Sequence, residues 1–278
     1  MKLIWSLANR MPEVPHSPYI YDMFYLSIHM AKELGYETIL YGSTDAVDRL
    51  GDYVDETYNI DNLDYRLFDD TKIYIWKTRS DDYITIDGDV FLHSKLEFNK
   101  NQSTFVSFDE IVNLPNDGYI KESYDIVNKL RISQIIPEWD VTQTKSFSTN
   151  LIHWKSNNGV LQYFIKSYET LREWYLKNED YITKLNSELA VGNSLISHFL
   201  CEHLLQRIVS YYSLGYDEMR VNTKNSYYHW QGSDKFTNMD KVECVRLVVE
   251  RHKQVGGNIK DIYDYLVELQ LIQPILYP

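Results

Sequence analysis

The chain has 278 residues, 44% hydrophobic and 24% charged, enough apolar material for one large α/β domain and too much for a disordered chain. A net charge of −12, with no run of Lys or Arg, argues against a sequence-independent grip on a nucleic-acid backbone. It leaves a nucleotide substrate open, because one divalent ion neutralises a diphosphate locally.

From the N-terminus, Lys2–Ala8 (KLIWSLA) reads as a first buried strand, too short for a signal-peptide core, and a Pro-rich loop follows from Asn9 to Pro18. Met23, Phe24, Ile28, Ala31 and Leu34 have helical spacing and predict a helix over Tyr21–Leu34, with Gly35 as its C-terminal glycine. Glu37–Tyr41 is a strand ending at Gly42-Ser43; Asp45–Leu50 is a short helix, Val54–Ile60 a short strand and Asp69–Trp76 a helix. Asp81–Leu92 is a strand running into a carboxylate-bearing turn. Strand and helix thus alternate over the N-terminal third, the pattern of a parallel, Rossmann-like sheet covered on both faces. The G-x-G-x-x-G fingerprint is absent, which turns the reading away from nicotinamide and flavin enzymes.

Farther on, strand-like pieces fall at Thr104–Phe108, Ile135–Ile136 and Ser146–Trp154. Gly159–Lys177 is a long amphipathic helix, a second runs from about Glu188 to Tyr212, and Tyr227–Trp230 is a strand or loop leading into Gly232. Helices are expected over Val242–Val255 and Ile259–Leu271, split by Gly256-Gly257, so residues 1–238 form the main domain and 239–278 a helical extension packed on it. Nothing approaches the roughly 20 apolar residues of a membrane span. Cys201 and Cys244 stand alone, which fits a reducing compartment, and the default location is the cytoplasm. The 24 Tyr, 10 Phe and 6 Trp offer many flat faces for stacking on bases or sugars, although most must serve packing.

Chemistry concentrates at two motifs. Asp87-Gly88-Asp89, the one D-x-D in the chain, follows the apolar run Ile84-Thr85-Ile86. Two carboxylates one residue apart at a bent strand end converge on a hard cation, and Gly88 between them allows a sharp turn or a close approach. The second motif, His229-Trp230-Gln231-Gly232-Ser233-Asp234-Lys235, reads H-x-x-G-x-x-K. A neutral imidazole completes the coordination of a Mn²⁺-like ion, Gly232 lets backbone N–H groups approach a phosphate, and Lys235 supplies a point charge.

With both motifs in this order, the chain resembles the glycogenin-like and bacterial galactosyltransferase-like retaining enzymes, glycosyltransferase family 8, within the GT-A superfamily. The resemblance covers residues 1–236 in architecture and implies a GT-A fold, a UDP-sugar donor, and Mn²⁺ (or Mg²⁺) held by Asp87, Asp89 and His229. It places Asp87 also near the ribose, and Gly232 and Lys235 on the diphosphate. By the same resemblance, Trp5 and Ser6 at the first strand end, with Tyr41, Gly42 and Ser43 at the second, would form the uracil pocket. Lys72 and Lys77 lie where a basic residue reaches the donor phosphates in related enzymes; solvated helix lysines are the plainer reading. Trp139-Asp140, Asn150 and Trp154 lie where the sugar binds, core packing being the plainer role for Trp154.

Three departures from the family pattern stand out. Phe236 follows Lys235 in place of Pro-Trp, Phe147-Ser148-Thr149-Asn150 lacks the glycine of F-N-x-G, and no D-Q-D is present, Glu202 being the nearest acidic candidate. His198 and Glu202 are four apart on one helical face, but the H-E-x-x-H zinc arrangement is missing. The expectation is therefore a metal-dependent hexosyltransferase acting on a glycan, lipid-linked or other acceptor. Asp89, Lys235 and Glu202 are its catalytic residues, and Glu202 or Asp140 would be the base if the reaction inverts. A non-catalytic nucleotide-sugar-binding module is the alternative. A sugar-phosphate nucleotidyltransferase would need a Gly-rich basic loop that Ser6–Pro18 does not supply.

Overall fold

The computed structural model describes residues 1–8, 20–64, 67, 70–98, 104–106, 109–111, 129–139, 145–156, 158–188, 193–214, 217–218 and 227–229. They belong to two compact units. Unit 1 is Met1–Asp61, Ile86–Glu97 and Val221–Pro278; unit 2 is Asn62–Thr85 and Phe98–Arg220.

Unit 1 begins as an alternating α/β layer: β1 (Lys2–Leu7), α1 (Ile20–Glu33), β2 (Glu37–Gly42), α2 (Thr44–Leu50) and β3 (Glu56–Asn59). The strands are parallel, with Ile4 opposite Ile39 and Leu40 opposite Thr57. Most of β1 and β2 is buried, as unbroken apolar runs in a parallel sheet should be, whereas β3 (ETYN) is exposed throughout and forms the edge. Helix α1 buries Met23, Phe24, Leu26, Ile28 and Met30, each worth about 2 kcal/mol of apolar transfer, together with the small Ala31. It stops at Gly35, whose φ of 74° is the left-handed conformation that glycine adopts without strain. There the Tyr36 N–H reaches the Ala31 carbonyl (3.2 Å) and the Gly35 N–H that of Lys32 (2.8 Å), the paired bonds of a Schellman cap. A separate antiparallel ribbon joins β5 (Val90–Leu92) to β11 (Tyr227–His229).

Unit 2 contains α3 (Asp70–Thr78), β4 (Tyr83–Ile86, whose last residue opens the next part of unit 1), β6 (Thr104–Val106), β7 (Asp109–Ile111), β8 (Lys145–Phe147) and β9 (Leu151–Trp154). Helices α4 (Gly159–Lys177), α5 (Glu179–Glu188) and α6 (Asn193–Tyr211) and the short β10 (Asp217–Glu218) follow. Its strands run in the order β10-β6-β9-β4, with β10 parallel and β9 antiparallel to β6, while β7 and β8 form their own antiparallel pair. The core is aromatic: Trp76 meets Trp154 (5.1 Å between centroids) and Phe164 (5.4 Å) edge-on and donates to the Thr85 hydroxyl at 3.1 Å. Asn158 caps α4, its side-chain oxygen accepting from the Leu161 N–H (3.2 Å) while its amide donates to Thr104 (2.7 Å).

The expected elements of the N-terminal third are present within one or two residues. Farther on the sequence misleads in three places. Ile135–Ile136 is not a strand but follows a 3-10 turn, Ile132–Gln134, entered through Arg131 with φ 51°. Ser146–Trp154 is two strands, β8 and β9, broken at the buried polar run Ser148-Thr149-Asn150. The second long helix begins at Asn193, and Glu188 ends a separate helix, α5. The helices expected after Val242, and the boundary at 238/239, lie outside the described residues.

Candidate functional site

Strand β4 ends at Ile86, and the chain reverses at once: the Val90 N–H donates to the Asp87 carbonyl at 3.1 Å, closing a four-residue β-turn. The two carboxylates of the D-x-D thus occupy the first and third turn positions. Asp87 is half-buried and Asp89 buried. Among the described residues, Asp89 is the one buried Asp, Glu, Lys or Arg of unit 1. Gly88 is not needed for a positive φ, since Gly35 alone among the described glycines has one. It is needed for space: a Cβ there would lie 2.1 Å from two ring carbons of Phe24 on α1.

The far side of the turn is anchored as firmly. Trp5 Nε1 donates to the Ser27 hydroxyl (3.0 Å), which donates to the Val90 carbonyl (2.6 Å). Val90 is therefore fixed at both its backbone polar groups, one by the turn and one by α1.

Strand β11 pairs with β5 in the register Tyr227↔Leu92, Tyr228↔Phe91, His229↔Val90. Directly opposed antiparallel residues have Cα atoms about 4.5–5.5 Å apart. The backbone of His229 therefore lies beside the residue that follows Asp89, and two motifs far apart in sequence meet at one strand pair. Only the backbone of His229 is described, and Gly232 and Lys235 lie outside the described residues. Among those residues, no group of three His, Cys, Asp or Glu is gathered for a metal. The donor chemistry at the turn, two carboxylates with one of them buried, fits an oxygen-preferring divalent cation.

The residues expected to hold the base sit at the C-terminal ends of parallel strands, where open α/β sheets bind ligands. Ser6 is opposite Tyr41, and Leu7 opposite Gly42. Trp5 is fully buried, its indole committed to Ser27. Tyr41 is buried and stacks on the half-exposed Tyr58 of the edge strand (4.6 Å, 14°). A Cβ on Gly42 would stand 3.0 Å from that of Ala46, so this glycine also brings α2 close to β2. The Ser43 N–H donates to the Leu7 carbonyl at 3.0 Å.

Unit 2 gathers other charges. Glu202 on α6 is buried; its Oε1 accepts from the Thr149 N–H (3.1 Å) and hydroxyl (3.3 Å). Lys72 on α3 is buried as well, donating to the Thr149 carbonyl at 3.0 Å. It is not a solvated helix lysine; Lys77 is exposed and pairs with Glu169. Asn150 and Trp139 are buried, and Trp154 is core. The side chain of His198 and all of Asp140 lie outside the described residues.

Sequence reasoning missed several polar groups in this unit. Asp70 accepts from Arg172 Nε (2.8 Å), the Tyr168 hydroxyl (3.1 Å) and the Leu67 N–H (2.8 Å), and its hydrogen bond to Arg172 raises the guanidinium's pKa. Glu138 accepts from Ser167 (3.1 Å) and Tyr212 (2.8 Å), and the hydrogen bond pushes the Tyr212 phenol up to about 12. Arg207 is buried with its guanidinium 4.6 Å over the Trp139 ring. Burial drives His153 down to about 4, leaving it neutral. One signal was available: Glu202, His203, Gln206 and Arg207 interrupt the otherwise apolar run Phe199–Val209, and Cys201–Val209 is buried without a break.

No family model matches the chain, and no curated protein matches it. Among solved structures it is similar to the glycosyltransferase GlyE of Streptococcus pneumoniae TIGR4, at 7% identity and a TM-score of 0.50, over 100% of this chain and 65% of GlyE. The chain thus spans less than two thirds of the length of that relative. It is also similar to the galactosyltransferase LgtC, solved with donor and acceptor sugar analogues (10% identity, TM-score 0.41, 95% of this chain and 99% of LgtC). A third is mouse xyloside xylosyltransferase 1 (10% identity, TM-score 0.38, 78% and 85%). At these identities the likeness is one of fold: the chain has the mixed α/β GT-A fold found in glycosyltransferases.

Proposed function

We propose that the chain is a metal-dependent glycosyltransferase that moves a hexose from a UDP-sugar to a hydroxylated acceptor. The observation that carries the reading is the β5–β11 register, with His229 opposite Val90 and so beside the Asp87-Gly88-Asp89 turn. A fold shared with glycosyltransferases supports it.

In this reading Asp87 and Asp89, with His229, hold Mn²⁺ or Mg²⁺, which when bound supplies Lewis acidity at the leaving diphosphate. The turn's task is rigidity: Gly88 packed on Phe24, and Val90 held at both backbone groups, keep the carboxylates from relaxing apart. Lys235 and backbone N–H groups near Gly232 take up the charge that develops as the sugar departs. Ser6, Tyr41 and Gly42 receive the base. Glu202, the acidic candidate for the missing D-Q-D, would act on the sugar. No unique nucleophile stands out, so attack from the leaving-group face, with retention, is the proposed course. The acceptor is a glycan, lipid-linked sugar or other hydroxyl compound, and the enzyme works in the cytoplasm.

Calorimetric titration of UDP into the protein with Mn²⁺, with EDTA, and into Asp89→Ala tests the donor site. Binding that needs Mn²⁺ and disappears in the variant is expected. Equal binding in all three, or none, makes the D-G-D a structural turn and ends the proposal. Metal-dependent binding without UDP release from any UDP-hexose assigns the chain to the alternative, a binding module.

A further inference from the structure

We infer that Tyr163, Tyr211 and Tyr212 form a surface on unit 2 that binds a neutral oligosaccharide. The choice of a glycan as occupant rests on the glycosyl-transfer reading above; the geometry lies wholly within unit 2 and takes nothing from the Asp87–Asp89 turn.

The three rings come from two helices. Tyr163 lies on α4, while Tyr211 ends α6 and Tyr212 follows it. Tyr163 stacks on Tyr212 (4.0 Å between centroids, 17°), and Tyr211 meets Tyr212 edge-on (5.0 Å, 75°). The cluster is open to solvent, with Tyr163 41% and Tyr211 54% exposed. Gln162, Ser210 and Ser213, exposed beside them in the chain, are polar and uncharged. Lys166 is the one exposed charged residue within four positions of any of the three.

The rings are also held in place. The Tyr212 hydroxyl donates to Glu138 Oε1 at 2.8 Å, and the same buried oxygen accepts from Ser167 (3.1 Å), one turn along α4 from Tyr163. That bond pushes the Tyr212 phenol up to about 12, so it stays protonated and keeps donating through the neutral range. Helix α6 ends in a Schellman pair, with the Ser213 N–H on the Ser210 carbonyl (3.2 Å) and the Leu214 N–H on that of Val209 (2.9 Å). Ser213 takes the left-handed conformation (φ 51°) that glycine usually supplies there. Rings fixed in this way have little freedom left to lose when a ligand settles on them.

Three features select the occupant. A tyrosine ring presents an apolar face and a polar tip, which matches the C–H face and hydroxyl rim of a sugar. The near absence of exposed charge around the rings, in a chain of net charge −12, disfavours an anionic ligand. The open area is small: at about 250 Å² for a whole ring, Tyr163 and Tyr211 together expose on the order of 200 Å². A stable protein partner needs about 800 Å² on each side, whereas the smaller area suits a few sugar rings. Stability alone would not select the arrangement. Glu138 Oε2 is buried with no hydrogen-bond partner among the described residues, and an apolar residue at 212 would pack the helices without requiring a buried carboxylate.

The test starts with wild-type protein on a printed array of neutral oligosaccharides, followed by calorimetry with the strongest glycan. At least one glycan should bind. Tyr163→Ala and Tyr211→Ala should each weaken it about tenfold, the loss of one ring's contact, with Mn²⁺-dependent UDP affinity within about twofold of wild type. Tyr163→Phe and Tyr211→Phe keep the ring and should stay within about threefold. Should Tyr163→Ala fail to fold, Tyr211→Ala, at the more exposed ring, carries the test. An array with no glycan bound overturns the inference, as does binding that both alanine variants leave unchanged. A wild-type dimer that Tyr211→Ala dissociates, with no glycan bound, overturns it too and assigns the patch to a second copy of the chain. Metal-dependent UDP binding beside an empty array overturns this surface alone. Failure to bind UDP overturns the donor site, and a glycan lost with the tyrosines would then leave the surface standing by itself.

Discussion

The two units treat buried charge in opposite ways. Among the described residues, unit 1 buries Asp89 and no other Asp, Glu, Lys or Arg; unit 2 buries Asp70, Lys72, Glu138, Glu202 and Arg207. In unit 1 the buried strands β1 and β2 are mostly apolar and a buried carboxylate is an exception, so its position at a strand end is informative by itself. In unit 2 a buried charge is part of the fabric. Which of them serve the fold and which the chemistry has to be read from their partners.

The largest effect should come from the exception. Asp89→Ala is expected to weaken Mn²⁺-dependent UDP binding about a thousandfold, roughly 4 kcal/mol, since even groups supporting a metal ligand cost 10–100-fold when removed. Its melting temperature should stay near that of wild type. A stability loss with unchanged UDP affinity would make Asp89 structural and dissolve the contrast between the units.

Asp70 makes the reverse case. Asp70→Ala removes the acceptor of the Tyr168 hydroxyl and the Leu67 N–H and leaves Arg172 paired with Asp64, and should cost about 3 kcal/mol in urea unfolding, the lower end for a broken buried pair because Arg172 keeps that partner and some solvent. UDP affinity should not move. A binding defect of comparable size would show that this clamp reports on the donor site, and that the polar interior of unit 2 cannot be divided as argued.

What was legible in the sequence follows the same divide. In unit 1 the apolar runs of β1 and β2, the helical spacing from Met23 to Leu34, and Gly35 all point one way, because a parallel layer leaves little choice to a strand buried on both faces. The D-x-D and the His229 motif were visible as residue types. Their meeting came from the family resemblance alone, because nothing local announces that β11 pairs with β5. Gly88 was read as freedom to turn or room for a ligand's close approach, whereas the structure gives it a packing role, for the ring of Phe24 comes from a helix some sixty residues earlier in the chain. In unit 2 the clamp of Asp70 by Arg172 spans 102 residues, and Thr149 sits inside a stretch that read as one strand. Polar residues that satisfy one another across long separations leave no periodic trace.

His153 sharpens the comparison through pH. Its folded pKa, pushed down to about 4, lies below an unfolded value near 6.5. Below pH 6.5 the unfolded chain takes up a proton that the folded chain refuses, so the stabilisation is complete above 6.5 and is lost as pH falls toward 4. The slope is about 1.4 kcal/mol per pH unit, and the total up to about 3 kcal/mol. Urea unfolding between pH 7 and 4 should show this loss, and His153→Gln should flatten it. If the variant keeps the wild-type slope, other groups carry the acid sensitivity of unit 2.

Gly88→Ala is the smallest and most discriminating change. Its backbone φ is not positive, so alanine meets no conformational penalty; it meets the Phe24 ring, two carbons of which would lie 2.1 Å from the new methyl. Overpacking of this kind should cost about 2 kcal/mol and weaken metal-dependent UDP binding as the turn is pushed away from α1. Phe24→Leu makes room, so the double variant should be more stable than the sum of the two single effects implies, by about 1 kcal/mol or more. Additive losses would mean that glycine is required there by something other than the ring, such as the close approach of a ligand. Coupled losses would show that in unit 1 an apolar contact sets the spacing of two charged groups, whereas in unit 2 the charged and polar groups set one another.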